Sequence, residues 1–270
     1  MALAPAPTEP SAGAGVAGPA APGPRPGGAR RLLRYAGAPV ALLAVLAALY
    51  LYVGAQDLDR IERRSLNAEY LLSRTWQHLG LSLVVVVLIL AIAVPLGVAL
   101  TRPGARRFSG PVLAVANVGQ AVPTIGLIVL FAVAFVSWGI HTIAITAIVL
   151  YGILPVLRNT MVGLDQVDRA VIESARGMGL GRAQVLWRVE LPLAVPVMLA
   201  GIRTALVLTV GTVALATFIG AGGLGDVISN GISSNRTVVL VTGSVLVAVL
   251  ALAVDWLAGI VEDVLRPRGI

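Results

Sequence analysis

The chain is 270 residues long, 57% apolar and only 12% charged, against roughly 25% charged in soluble domains. Its net charge of +7 rests on 20 basic residues that are all arginine; without lysine there is neither a P-loop lysine for nucleotide phosphates nor a Schiff-base amine. It has no cysteine and two histidines, His78 and His141, which excludes a disulfide framework, a thiol nucleophile and zinc-finger spacing.

Residues 1–29 are almost entirely Ala, Pro and Gly and are expected to be disordered. Arg30, Arg31 and Arg34 follow that tract instead of leading it, so it does not read as a signal peptide. The run Ala36–Val53 is long enough to span a bilayer and is read as a retained first membrane helix. A polar connector of mixed charge over residues 55–75 separates it from a second span, Leu79–Leu100, in which Pro95 predicts a kink. From Phe108 to Leu157 no residue carries a fixed charge, enough for two spans with a turn at Ser137–His141. Asn117, Gln120 and Pro123 interrupt the front of this stretch. They read either as a broken helix facing a translocation pathway or as a simple proline-kinked start of the third span. A fifth span is expected from Leu193 to Phe218, a glycine-rich loop over Gly220–Arg236, and a sixth span from Val238 to Leu257.

Six spans place both termini on one side. With that side cytoplasmic, fourteen arginines fall inside and five outside, and Arg203 stays within a span, as the positive-inside rule requires. The arginines lie between apolar spans and form no basic stripe, so membrane orientation explains the charge better than nucleic acid does. The fold class is therefore an all-α membrane protein of about six transmembrane helices. It divides into a tail (1–35), a first helix with extracytoplasmic connector (36–75), a main transmembrane domain (76–258) and a cytoplasmic tail (259–270).

The segment 158–192, RNTMVGLDQVDRAVIESARGMGLGRAQVLWRVELP, is polar and lies between two spans. Asp165 or Asp168 can cap a short helix through Val171, Ile172 and Ala175, which Gly177 and Gly179 break. A second amphipathic helix with Val185, Leu186 and Val189 on one face follows, and Pro192 opens the next span. Two short helices joined at a glycine bend form a compact knob suited to a groove on a soluble partner.

This segment resembles the cytoplasmic signature of ABC importer permeases: Glu-Ala-Ala, three residues, Gly, nine residues, then Ile-x-Leu-Pro. The chain has Glu173-Ser174-Ala175, then Gly179, then Val189-Glu190-Leu191-Pro192, with both spacings kept and Ser174 and Val189 as mild departures. Over about residues 70–260, stretches such as TWQHLGLSL, WRVELPLAVPVMLAGIRTA and FIGAGGLGD are similar to the permeases that import glycine betaine, choline, carnitine and related osmoprotectants. The resemblance implies a type I importer permease core with an extra N-terminal helix and a cytoplasmic coupling-helix loop. It implies a second permease copy or paralogue, a separate extracytoplasmic substrate-binding protein, and partner ATPase subunits that bind ATP and Mg, leaving no cofactor or metal to this chain. It places the loop around Glu173–Gly179 in a cleft of the ATPase.

Several sharper readings compete with plainer ones. Gly220–Gly225 matches G-x-G-x-x-G, yet a dinucleotide site needs a strand before it and a helix after it; Gly222 and Gly223 read better as a close-packed turn near an outer gate. Tyr50, Tyr52, Trp76, Trp138 and Trp256 fall near span ends as interface anchors rather than as a quaternary-ammonium cage. His78 and His141 fall at the predicted outer interface as ordinary hydrogen-bonded histidines. Asp255 is the one carboxylate expected within a span, near its end, which counts against an ion-coupled carrier or channel. Arg203 is expected to pair with Asp255; separate snorkelling, or pairing with Glu190 or a partner subunit, are the alternatives. An ABC permease for another small solute, such as an amino acid, is the competing function.

Overall fold

A computed structural model of the protein describes residues 28–265, with side chains from Tyr35 onward. The expected disordered tract up to residue 27 and the tail arginines Arg266 and Arg268 lie outside the described residues. Helix α1 runs Gly28–Gly54, so it begins within the stretch expected to be disordered. A connector helix α2, Arg60–Ser65, follows. Its capping box is complete: Asp59 accepts from the Glu62 N–H at 2.8 Å and Glu62 accepts from the Asp59 N–H at 2.9 Å, satisfying two amides a short helix leaves open.

Helix α3 spans Ala68–Leu100, 33 residues or about 50 Å, longer than the ~30 Å hydrocarbon core. Its polar first turns therefore reach beyond the apolar layer, where Asn67 caps it by accepting from the Tyr70 N–H at 2.8 Å. Helices α4 (Ser109–Ala121) and α5 (Thr124–Ala134) form a pair bent by 99°. Pro123 has no N–H to continue the ladder and forces the residue before it into extended geometry; Val122 sits at φ −72°, ψ 134°. The helix is therefore broken at Pro123 and not merely kinked. Among the described residues, five helices are individually long and apolar enough to cross a membrane, and the bent pair makes a sixth only if taken as one span.

Helix α6 (Ile140–Asp165) returns after a turn near the expected one, and Gly139 at φ +36° is its N-cap. It leads to α7 (Arg169–Gly177), α8 (Arg182–Val185), a π-helical turn (Leu186–Glu190) and α9 (Leu191–Val213). A 3-10 turn, Ala214–Ile219, closes α9; α10 (Gly225–Ser233) and α11 (Thr237–Leu265) complete the chain. α11 runs past Leu257, where the last span was expected to end, so Asp255 lies ten residues inside the helix rather than within a turn of its end.

The core lies where α3, α6 and α9 meet, with Val85, Ile89, Ala147, Ile148, Leu157 and Ala205 buried. Apolar side chains facing lipid gain nothing from mutual burial, so close backbone approach supplies the packing. At Gly201 a Cβ would stand 2.6 Å from both Asn159 Cβ and the Pro155 carbonyl oxygen, so α6 and α9 touch at a distance only glycine permits. α1 lies against α11, joined by Tyr35 Oη donating to Asp263 at 2.8 Å and Trp256 Nε1 donating to the Tyr35 carbonyl at 3.1 Å. Trp256 thus serves a helix contact, whereas Tyr50 and Trp76 stay largely exposed.

Candidate functional site

The loop between α6 and α9 is built around one cap at each end of α7. Asp168, and not Asp165, is the N-cap: its carboxylate accepts from the Ala170 N–H at 2.9 Å. At the other end the Leu180 N–H reaches back to the Ala175 carbonyl at 3.2 Å and the Gly179 N–H to Arg176 at 2.9 Å. That bond pair is a Schellman closure, which needs a left-handed residue at the bend, and Gly179 supplies it at φ +87°. Gly177, expected to share the break, is the last helical residue instead. Ala175 is buried, while Glu173, Ser174 and Gly179 are exposed. Val171 (43% exposed), Met178 (75%) and Trp187 (71%) stand out as apolar side chains on an otherwise polar loop, as docking surfaces do.

The expected second, separate helix is absent. α8 continues through the π turn directly into α9 and its 3-10 end, one helical run over Arg182–Ile219. Pro192, in its first turn, cannot donate to a carbonyl one turn back, and the Leu191 N–H bonds to Leu186, five residues back. Widening the helix by one residue lets it pass a proline that would otherwise break it. Val185 is fully buried and Val189 half-buried; Leu191 and Pro192 pass into α9. Glu190, at the end of the π turn, is 4% exposed and accepts from Arg102 Nη2 at 2.6 Å. Arg102 lies just past Thr101, the C-cap of α3, so Glu190 is not the partner of Arg203. Asp165 sits 3.4 Å from Arg106.

Arg203 meets Asp255 through a two-pronged contact, Nε–Oδ1 at 2.5 Å and Nη2–Oδ2 at 2.7 Å, with Glu262 3.6 Å from its Nη1. The guanidinium passes beside Gly259, where a Cβ would make only ordinary contact with it, 3.4 Å from Nη1.

At the opposite end of α9 the glycine-rich loop folds onto the first turns of α3. Gly222 and Gly223 adopt φ +85° and +87°, and a Cβ on Gly222 would collide with the Gln77 amide. Gln77 Oε1 accepts from the Gly223 N–H at 3.1 Å and its Nε2 donates to the Ala221 carbonyl at 3.4 Å. His78, expected at the interface, is fully buried. Its Nδ1 accepts from the Leu224 N–H at 3.3 Å, which leaves Nε2 to carry the proton and donate to the Val210 carbonyl at 2.9 Å. That carbonyl is available because, at the switch to 3-10 geometry, the Ala214 N–H turns to Thr212. Arg74 pairs with Asp226 at 2.9 Å. Sequence reasoning missed Arg74, Gln77 and His78 as a set. Their i, i+3, i+4 spacing puts them on one helix face, but nothing local names the loop they hold. Asn117 accepts from Arg158 Nη2 at 3.3 Å, so the two groups of candidate pathway residues bond to different helices: Asn117 to α6, and Gly223 to α3.

Among the described residues there is no group of three or more His, Cys, Asp or Glu placed to hold a metal, and no strand that a dinucleotide fold would need. The arrangement is that of a multi-pass membrane protein with an exposed loop at one end and a closed one at the other, and its fold is that of an ABC importer permease. Two inward-facing structures of the MetNI methionine ABC transporter superpose on it with TM-scores of 0.63 and 0.62. They are 24% and 26% identical, and cover 72% and 73% of this chain and 95% and 96% of theirs. The family model for the binding-protein-dependent transport system inner membrane component matches residues 93–267, and the chain belongs to that family. Among its relatives, the carnitine transport permease protein OpuCD of Listeria monocytogenes is 39% identical over 202 residues, 74% of this chain and 89% of that protein. The osmoprotectant import permease protein OsmW of Salmonella typhimurium is 41% identical over 216 residues, 79% of this chain and all of that protein. The choline transport system permease protein OpuBB of Bacillus subtilis is 38% identical over 204 residues, 76% and 92%.

Proposed function

We propose that this chain is the transmembrane permease subunit of an ABC importer for an osmoprotectant such as glycine betaine, choline or carnitine. The observation that carries the substrate class is the agreement among relatives near 40% identity, each named for a carnitine, choline or osmoprotectant system. In this reading the chain hydrolyses no ATP. Separate ATPase subunits bind ATP and Mg, a second copy or paralogue completes the pathway, and an extracytoplasmic binding protein delivers the solute.

The α6–α9 loop is the coupling element, with both termini cytoplasmic. Support comes from its form: a short capped helix with exposed Val171 and Met178, closed by a rigid Schellman bend. The continuous helical run from Arg182 into α9 links an ATPase cleft to the core. No covalent step is asked of any residue.

The test is uptake by proteoliposomes holding the chain with its ATPase and binding protein. Labelled glycine betaine, choline or carnitine should enter only with ATP inside and binding protein outside, and excess methionine should not compete. Uptake by the chain alone under an ion gradient would refute the permease-subunit reading. Competition by an amino acid with no osmoprotectant uptake would refute the substrate class.

A further inference from the structure

Of the three arginines between α3 and α4, two that stand four residues apart, Arg102 and Arg106, each meet one root of the α6–α9 loop. Arg106 pairs with Asp165, three residues before the α7 cap; Arg102 pairs with Glu190, two residues before Pro192. The two contacts are unequal. Arg106 and Asp165 are 3.4 Å apart with side chains 58% and 43% exposed, and a solvated pair of that kind adds little. Glu190 Oε2 stands 2.6 Å from Arg102 Nη2 with its side chain 5% exposed. A carboxylate that far from water needs its partner, and removing the partner is costly. Arg102 is itself aimed by the end of α3, its Nε donating to the Val98 carbonyl at 3.3 Å. The contact therefore joins the last turn of one core helix to the point where the π turn becomes another.

Its place in the helix sharpens the argument. π turns are rare and concentrate at functional sites. This one lies between the α7 knob and α9, and a wide turn beside a proline is a point where a pushed helix could flex. The Arg102–Glu190 bridge crosses that point from outside. We propose that Arg102 and Glu190 are positioning residues for coupling: their pair braces the π turn, so that displacement of the loop moves α3 and α9 as one unit. This rests on the coupling role proposed above.

The test uses the assembled transporter, with substrate uptake and binding-protein-stimulated ATP hydrolysis measured on the same vesicles. Active wild-type vesicles establish the parent reading before any variant is read; wild type that neither hydrolyses ATP nor takes up solute overturns both. In R102A and E190Q, hydrolysis should persist while solute moved per ATP falls about tenfold. The chain has no cysteine, so R102C/E190C can be bridged by a bis-methanethiosulfonate reagent of about the reach of an arginine–glutamate pair. Bridging should restore uptake per ATP, and a thiol reductant should abolish it again. Three results overturn the proposal. One is unchanged uptake per ATP in both single variants. Another is loss of uptake and hydrolysis in equal proportion, or of assembled complex, which would make the pair a fold element only. The third is a bridged form that hydrolyses ATP without transport, which would mean that the pair must open.

Discussion

The two loops at the ends of α9 are made from similar material and held in opposite ways. Each turns on glycine at φ near +85°. Around Gly179 nothing stands within 4 Å of a would-be Cβ, and the loop is closed by its own backbone and shows Met178 and Trp187 to the outside. Around Gly222 and Gly223 the side chains of Gln77 and His78 fill the space, and Ala221 and Leu224 are fully buried. Identical backbone chemistry therefore serves two purposes. One bend closes on its own backbone and leaves Met178 and Trp187 exposed, while the other is stitched to α3 by side chains.

Substituting the two glycines separates these roles most strongly. Gly222→Val places a branched side chain where Gln77 already lies, at a φ such residues avoid. We expect the chain to fail to accumulate in the membrane, and immunoblots of membrane fractions against wild type measure this. Gly179→Val meets only the backbone strain, about 1–2 kcal/mol. It should reach normal abundance while uptake falls at least several-fold, because the bend that shapes the knob is lost. Normal uptake by an abundant Gly179→Val would remove the loop from coupling and erase the contrast.

A smaller effect sharpens the buried side of the comparison. His78→Ala strands the Val210 carbonyl and the Leu224 N–H, both now satisfied by one ring. An unpaired buried polar group costs about 1–3 kcal/mol, so the variant should melt several degrees lower in detergent when followed by fluorescence-detected size exclusion. An unchanged melting temperature would mean that the glycine loop is not held by His78.

How much of this was legible in one dimension follows from where the partners lie. The charge-free runs and the proline at 123 are local signals, and helices and a helix break fall on them. The cap at Asp168 was left between two aspartates, since both precede the same apolar face; Asp165 went instead to Arg106, 59 residues away. Pro192 looked like the start of a new helix because proline usually is. The π turn that carries the helix past it has no sequence mark of its own. His78 and Leu224 are 146 residues apart, so periodicity could place the histidine near a span end but not predict what would bury it.

The smallest effect concerns Arg203 and Asp255, a charge pair between α9 and α11. Their side chains are 38% and 32% exposed, so full burial energetics do not apply. The geometry is two-pronged, which for a guanidinium and a carboxylate is the strong arrangement, yet partly exposed pairs add only about 0.5–1 kcal/mol. A hydrocarbon surround raises the cost of separating the charges, but Glu262 at 3.6 Å stands ready as a substitute for Asp255. We therefore expect Asp255→Ala alone to cost little, since Arg203 can turn to Glu262. Arg203→Ala should cost more, because it removes the guanidinium that meets both Asp255 and Glu262. The double variant should recover part of that loss, giving a coupling near 1 kcal/mol in a cycle read by thermal melting in detergent. Repeating the cycle in a Glu262→Gln background should enlarge the Asp255→Ala effect. Strictly additive losses in both backgrounds would mean that the two charges act independently.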